Sequence, residues 1–153
     1  MVLLNLPTYP LKIKSVADKQ QIFDCVRRRY VALTPEEWVR QNMVAHLIEA
    51  IQVPKTRLSN ETSITYNGLT KRCDTVVYDD TYKPLMIVEY KAPTIELTQL
   101  VFDQVAVYNL ELQVPYLLVS NGLKHIFCKV DIANKRYLFH PEILSYSELL
   151  ITR

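Results

Sequence analysis

Glycine is nearly missing from this chain: there are two in 153 residues, Gly68 and Gly122. A phosphate-cradling loop ending in Gly-Lys-Ser or Gly-Lys-Thr needs glycines where backbone N–H groups approach the phosphates. No such loop occurs, so the chain has no ATP site and is not a translocase or an ATPase by itself. Cysteine is also scarce. Cys25, Cys73 and Cys128 are odd in number, far apart and without metal-ligand spacing, as expected of free thiols in a reducing compartment. No apolar run is long enough to cross a membrane, and the short apolar stretch at the N-terminus is broken by Pro7 and Pro10. The expectation is a cytoplasmic protein with no membrane partner. A dominant charge is lacking too. Lys and Arg total 18 against 16 Asp and Glu, a net of +2, so nucleic-acid binding would have to come from local clusters such as Arg27-Arg28-Arg29 or Lys71-Arg72. Repeats, low-complexity segments and dividing linkers are absent, and a single domain over residues 1–153 is expected.

What is present is an alternation of helix and strand signals. Residues 1–14 read as an irregular arm with a short strand at Leu11-Lys12-Ile13, and residues 18–30 as a hairpin or turn region. Thr34-Pro35-Glu36-Glu37 is a helix start: a capping threonine, proline in the first turn, and two glutamates at the positive end of the dipole. The helix runs to about Ile51, with Val39, Met43, Leu47 and Ile51 at helical spacing. Glu36 falls near that inward stripe and can pair with Arg40, four residues on. Strands are expected over 61–66, 74–78, 85–90, 116–120, 125–130 and 137–139, with Asn67-Gly68 and Asn121-Gly122 as turns. A second helix is expected over 98–112, with Leu100 or Val101, Gln104, Val105, Tyr108 and Leu112 on or beside one face, and a short one near 147–151. The nearly unbroken apolar run 85–90 suits a central strand, and the helical crossover to 116–120 makes those two strands parallel. The fold class is α/β, with helices on a mixed central β-sheet.

The residues that carry chemistry sit at strand ends. Asp74 opens one apolar strand, and Glu89 and Lys91 straddle Tyr90 at the end of the next. Two such strands joined by a turn bring two carboxylates and an ammonium to one edge of a sheet. Asp74, Glu89 and the Tyr90 carbonyl could hold magnesium, or manganese, with Glu36 as a further ligand candidate from the first helix. Lys91 shares a strand face with Glu89 and could orient or activate a water. The bland alternative is a same-face ion pair of Glu89 with Lys91. Against it stands the cost of placing charge at the end of the most apolar strand. The three histidines, His46, His125 and His140, share no motif, and Trp38 reads as packing.

These residues resemble the PD-(D/E)XK superfamily of restriction-endonuclease-like folds, whose signature is Pro-Asp, a spacer, then Asp or Glu, any residue, and Lys. More closely, the chain resembles the N-terminal nuclease domain of the restriction subunit of type I restriction enzymes. The matching stretches are Thr34–Gln41, Lys71–Asp74, Val88–Pro93, Phe102–Asn109 and Tyr116–Gly122, so the resemblance covers roughly residues 20–140. It implies a metal-dependent DNA endonuclease with Asp74, Glu89 and Lys91 as the catalytic triad and Glu36, or alternatively Glu37, as the helix glutamate. Gln104 and Tyr108 match a glutamine-and-tyrosine helix motif, with Gln104 placed to bind DNA or orient Lys91. Lys71 and Arg72 are the phosphate-contact candidates. The signature proline is replaced by Cys73, which costs no chemistry. The implied partners are double-stranded DNA and motor, specificity and methylation subunits or domains, and a homodimer would suit the two strands of a duplex. Two other readings stay open: a catalytically silent DNA-binding or assembly module, and a structural interaction domain with a large apolar patch.

Overall fold

The computed structural model describes all residues, 1–153. Six strands form one mixed sheet in the order β4 (Leu58–Tyr66), β5 (Leu69–Tyr78), β6 (Pro84–Tyr90), β7 (Tyr116–Ser120), β8 (His125–Asp131) and β9 (Arg136–His140). Every neighbouring pair is antiparallel except β6 and β7, which run parallel around the crossover helix α2 (Gln99–Leu112). The expected α/β fold, a mixed central sheet flanked by helices, is the fold found. β6 lies inside the sheet, and Leu85 through Tyr90 are all buried.

Helix α1 (Pro35–Glu49) starts as its sequence dictates, with the Thr34 side chain accepting from the Glu37 N–H at 3.1 Å. Val39, Met43 and Leu47 are fully buried with Met86, Val88 and Tyr90 on one face of the sheet. Helix α2 covers the other face, where Phe102 and Ala106 meet Val76, Ile87 and Val119. Successive strand residues face opposite sides, so Glu89, between Val88 and Tyr90, faces α2. Helix α2 is turned from the expected phase: Phe102, Ala106 and Asn109 point inward, while Leu100 and Gln104 are exposed. Asn109 reaches this position because its amide donates to the Tyr116 carbonyl at 3.0 Å. A short helix, α3 (Tyr146–Thr152), buries Leu149 against the α1 side.

The N-terminal region differs most from expectation. Instead of one hairpin it forms a separate antiparallel sheet of β1 (Ile13–Val16), β2 (Lys19–Asp24) and β3 (Arg29–Ala32). Its first turn places Ala17 at φ 49° and Asp18 at φ 64°, both left-handed, as a two-residue hairpin turn requires. Asn-Gly fills this role at Asn67-Gly68, and Ala-Asp does so without the usual sequence sign. Residues 1–9 run along α1, from its first turn, where the Trp38 indole donates to the Val2 carbonyl at 2.8 Å, to His46, which bonds the Tyr9 hydroxyl at 2.7 Å. Gly122 is required here: its φ is +84°, and a Cβ would meet Leu4 at 2.6 Å.

Candidate active site

The β5–β6 ladder pairs Thr75 with Val88, and the next opposed residues are Asp74 and Glu89. Cβ atoms of opposed residues lie about 4.5–5.5 Å apart, so the register alone brings the two carboxylates together. The Asp74 carboxylate accepts from the Tyr90 N–H at 2.9 Å, which fixes it at the strand end. Glu89 is buried, with 9% of its surface exposed. Burial, and then the charge of Asp74, push its carboxyl up to about 8, with Lys71 acting in the opposite direction. Lys71 Nζ is 3.5 Å from Glu89 Oε1, donates to the Arg72 carbonyl at 2.7 Å, and stands 5.3 Å from the Tyr108 ring centre.

Lys91 lies just past β6, and its N–H donates to the Ser120 carbonyl at 2.9 Å. That bond extends the β6–β7 pairing by one residue and keeps Lys91 on Glu89's side of the sheet. Its half-buried side chain takes part in none of the chain's ion pairs. The structure brings together Asp74, Glu89, the Tyr90 N–H, Lys71 and Tyr108, with Lys91 following one residue past β6. Gln104 is exposed one turn before Tyr108, and Arg72 is exposed and turned to Glu61 at 2.9 Å.

The first helix is where the expectation for the site has to be corrected. Glu36 is exposed, and Glu37 is the buried glutamate. Arg40 does not pair with Glu36. Its guanidinium binds the Glu37 carboxylate at 2.9 and 3.1 Å and Glu61 Oε1 at 2.6 Å. Both glutamates face plausible apolar neighbours one heptad on, Met43 for Glu36 and Val44 for Glu37, and both of those are buried. Apolar spacing could not choose between them; the polar partners do. No group of three or more His, Cys, Asp or Glu side chains comes together, so the structure does not bring Glu36 to Asp74 and Glu89.

A second polar cluster, not foreseen from the sequence, lies on the α1 side. Arg27 bridges Asp24 at 2.5 Å and Glu37 at 2.8 Å. Gln41 donates to Glu37 at 2.9 Å, and Asn60 to Asp24 at 2.9 Å. The Tyr90 hydroxyl donates to Thr75, which donates to Asn60. Burial works against the charge of Arg40, but the Glu37 and Glu61 carboxylates outweigh it and hold its pKa above the ordinary arginine value. This cluster touches the carboxylate pair at one point, where Arg40 Nη1 donates to the Asp74 carbonyl at 2.7 Å. Opposite Asp74, the β4–β5 ladder skips Glu61, which has φ 56°. A left-handed non-glycine residue inside a strand is strain that its surroundings must hold, and Arg40 and Arg72 hold Glu61 from two sides.

Two carboxylates on adjacent strands, with one lysine against Glu89, suit a hard divalent cation that takes oxygen ligands and keeps several waters. Asp74 and Glu89 are the side chains that fit it, with the Tyr90 carbonyl next in the chain.

A mixed α/β fold with a carboxylate midway along β5 beside one near the end of β6, and a lysine just past it, is consistent with a nuclease-like domain. The chain belongs to the family described as type I restriction enzyme R protein N terminus (HSDR_N), whose model matches residues 35–143. Among solved structures it is similar to the fragment structure of a chain described as an HsdR subunit of a type I restriction enzyme from Vibrio vulnificus YJ016. The TM-score is 0.55 at 17% identity, with 78% of this chain covered. That likeness concerns the fold, and the chain spans 25% of the length of that relative. No curated protein sequence matches the chain. No helix is long and apolar enough to cross a membrane.

Proposed function

We propose that this chain is a metal-dependent DNA endonuclease domain acting in the cytoplasm as part of a type I restriction system. The observation that carries the proposal is the Asp74–Glu89 pair, two opposed carboxylates at a strand end with too little positive charge around them. Membership of the restriction-subunit family supports the choice of DNA as substrate.

Magnesium or manganese bound there would supply positive charge to the phosphoryl group as negative charge grows on it. Asp74 and Glu89 hold the ion, and the Tyr90 N–H fixes the Asp74 carboxylate in place. Lys91, one residue past β6 and in no ion pair, would be the group to orient the attacking water or stabilise the departing oxygen. Lys71, which lies against Glu89 at 3.5 Å, would be the nearest ammonium available to a phosphate oxygen if Glu89 served the ion instead. Tyr108 backs Lys71, and Gln104 and Arg72 offer exposed donors to the DNA. Arg40 is a positioning residue, acting on Asp74 through its carbonyl.

The test is cleavage of linear, supercoiled and single-stranded DNA with magnesium or manganese, by wild type and by Asp74→Asn. Metal-dependent cleavage that the variant loses is expected. Equal cleavage by both would remove Asp74 from the mechanism. A silent binding or assembly module is the second reading, favoured by the lysine already lying against Glu89. It requires DNA binding without cleavage at any metal concentration. Motor, specificity and methylation subunits are the partners this reading assigns to the domain.

A further inference from the structure

The charge of the chain is unevenly placed. Residues 11–33 hold six cationic side chains against two carboxylates, a net of +4 where the whole chain carries +2, leaving −2 for everything else. Asp24 and Arg27 are buried in the α1-side cluster and neutralise each other. The remaining five cations, Lys12, Lys14, Lys19, Arg28 and Arg29, are exposed and take part in no ion pair.

Register places three of them together. Lys14 opposes Gln21, Val16 opposes Lys19, and Phe23 opposes Tyr30, while the Phe23 N–H donates to the Lys12 carbonyl. Opposed residues share a face, so Lys12, Lys14 and Lys19 stand on one side of the small sheet with Phe23 and Tyr30. Ile22 and Asp24, on the other side, are fully buried. Lys14 Nζ sits 4.0 Å over the Tyr30 ring and Lys12 Nζ 5.4 Å over Phe23, and the two rings meet edge to face at 5.2 Å. The rings thus hold the ammonium groups in an array at the surface. The lysines cover the ring faces, so the rings are not open platforms for unstacked bases, and the face favours a phosphate backbone over single-stranded bases.

We infer that the outer face of the β1–β3 sheet is a second DNA-contact surface, a phosphate clamp in which Lys12, Lys14 and Lys19 grip the backbone of duplex DNA. Charge complementarity selects a polyanion. The proposed nuclease function, on which this inference rests, selects DNA. A chain of interior contacts ties the small sheet to the site: Arg27 joins it to Glu37, Glu37 to Arg40, and Arg40 donates to the Asp74 carbonyl. It lies before residues 35–143, the part that the family model matches.

The test is binding of a short fluorescent duplex of arbitrary sequence, followed by anisotropy in EDTA between about 50 and 200 mM salt. The proteins are the full wild-type chain and Lys12→Gln/Lys14→Gln/Lys19→Gln. A control, Lys83→Gln/Lys124→Gln/Lys135→Gln, removes the same charge from exposed positions elsewhere. Each lost phosphate contact flattens the slope of log K against log salt by about 0.9. The clamp variant is expected to lose about 2–3 of slope and at least about tenfold in affinity at low salt, with an unchanged melting temperature, while the control keeps most of both. Three results would overturn the inference: an unchanged slope in the clamp variant, an equal loss in the control, or no salt-dependent binding by wild type. Cleavage in magnesium is a separate readout. A flattened slope without any cleavage would remove the nuclease proposal and keep the clamp. Normal cleavage with an unchanged slope would do the reverse.

Discussion

Two groups of buried charge meet at the same end of the central sheet, one on each face, and they are built in opposite ways. On the α1 side, Asp24, Glu37 and Glu61 are matched by Arg27, Arg40 and Arg72, and amides fill the remaining positions. On the α2 side, Asp74 and Glu89 lie together, and the one ion pair there is Lys71 with Glu89 at 3.5 Å. A paired cluster holds a structure together and needs nothing more. A pair of like charges costs stability unless something positive arrives. The contrast teaches where to look for function: at the group the fold leaves unbalanced, with the balanced group acting as its support.

The comparison can be broken most forcefully at Lys91. Lys91→Ala is expected to lower metal-dependent cleavage by about 10²–10⁴-fold, the usual contribution of a positioned acid–base group. Metal affinity and melting temperature should stay as in wild type; full activity in single-turnover cleavage would exclude a catalytic role for it. Next comes Arg40. Removing it takes one of two arginine partners from each of Glu37 and Glu61, leaving Arg27 and Arg72, so the loss should fall near the lower end of the about 3–5 kcal/mol that breaking a buried pair typically costs. Urea unfolding of Arg40→Ala should show a loss of that size, and a loss below about 1 kcal/mol would mean the α1-side cluster is not the support described here.

Glu89 sharpens the contrast through pH. Its carboxyl is raised in the folded chain from an ordinary 4.5 to about 8, by burial first and by Asp74 second. Between those values the unfolded chain gives up the proton and the folded one keeps it, so metal-free stability falls as pH rises through that window. Glu89→Gln should flatten the fall in metal-free melting curves. Asp24 should behave the other way. Burial raises its pKa, but the hydrogen bonds from Arg27 and Asn60 outweigh that and hold it below the ordinary value. Its contribution is complete above the unfolded pKa and is lost as pH falls through the folded one, so Asp24→Asn should remove part of the acid-side loss. The smallest effect is Thr34→Ala, about 1 kcal/mol from the lost cap, with no change in cleavage.

Much of the site's frame was legible because it depends on strand order and spacing. The apolar run at 85–90, the crossover and the Asn-Gly turns give β5, β6 and β7 their places, and antiparallel pairing of β5 with β6 then opposes Asp74 to Glu89. The choice between Glu36 and Glu37 was not legible, because buried residues run almost around α1 and include Arg40, Gln41 and Asn42. What turns Glu37 inward is Arg27, ten residues away and on another element. Glu61 was read as the start of a strand; its left-handed backbone and its two arginines depend on contacts across the sheet that no local pattern carries. The N-terminal sheet was hidden by polar strands of four to six residues and by the Ala17-Asp18 turn. The phase of α2 was missed because Asn109, a polar residue, lies on its buried side.

The central claim is that Asp74 and Glu89 form the place the fold leaves for a divalent cation. Calorimetric titration of manganese into wild type, Asp74→Asn and Glu37→Gln tests it most directly. The account predicts one ion per wild-type chain with proton release near neutral pH, loss of binding in Asp74→Asn, and retained binding in Glu37→Gln. Binding that survives Asp74→Asn, or no binding by the wild-type chain, would contradict it.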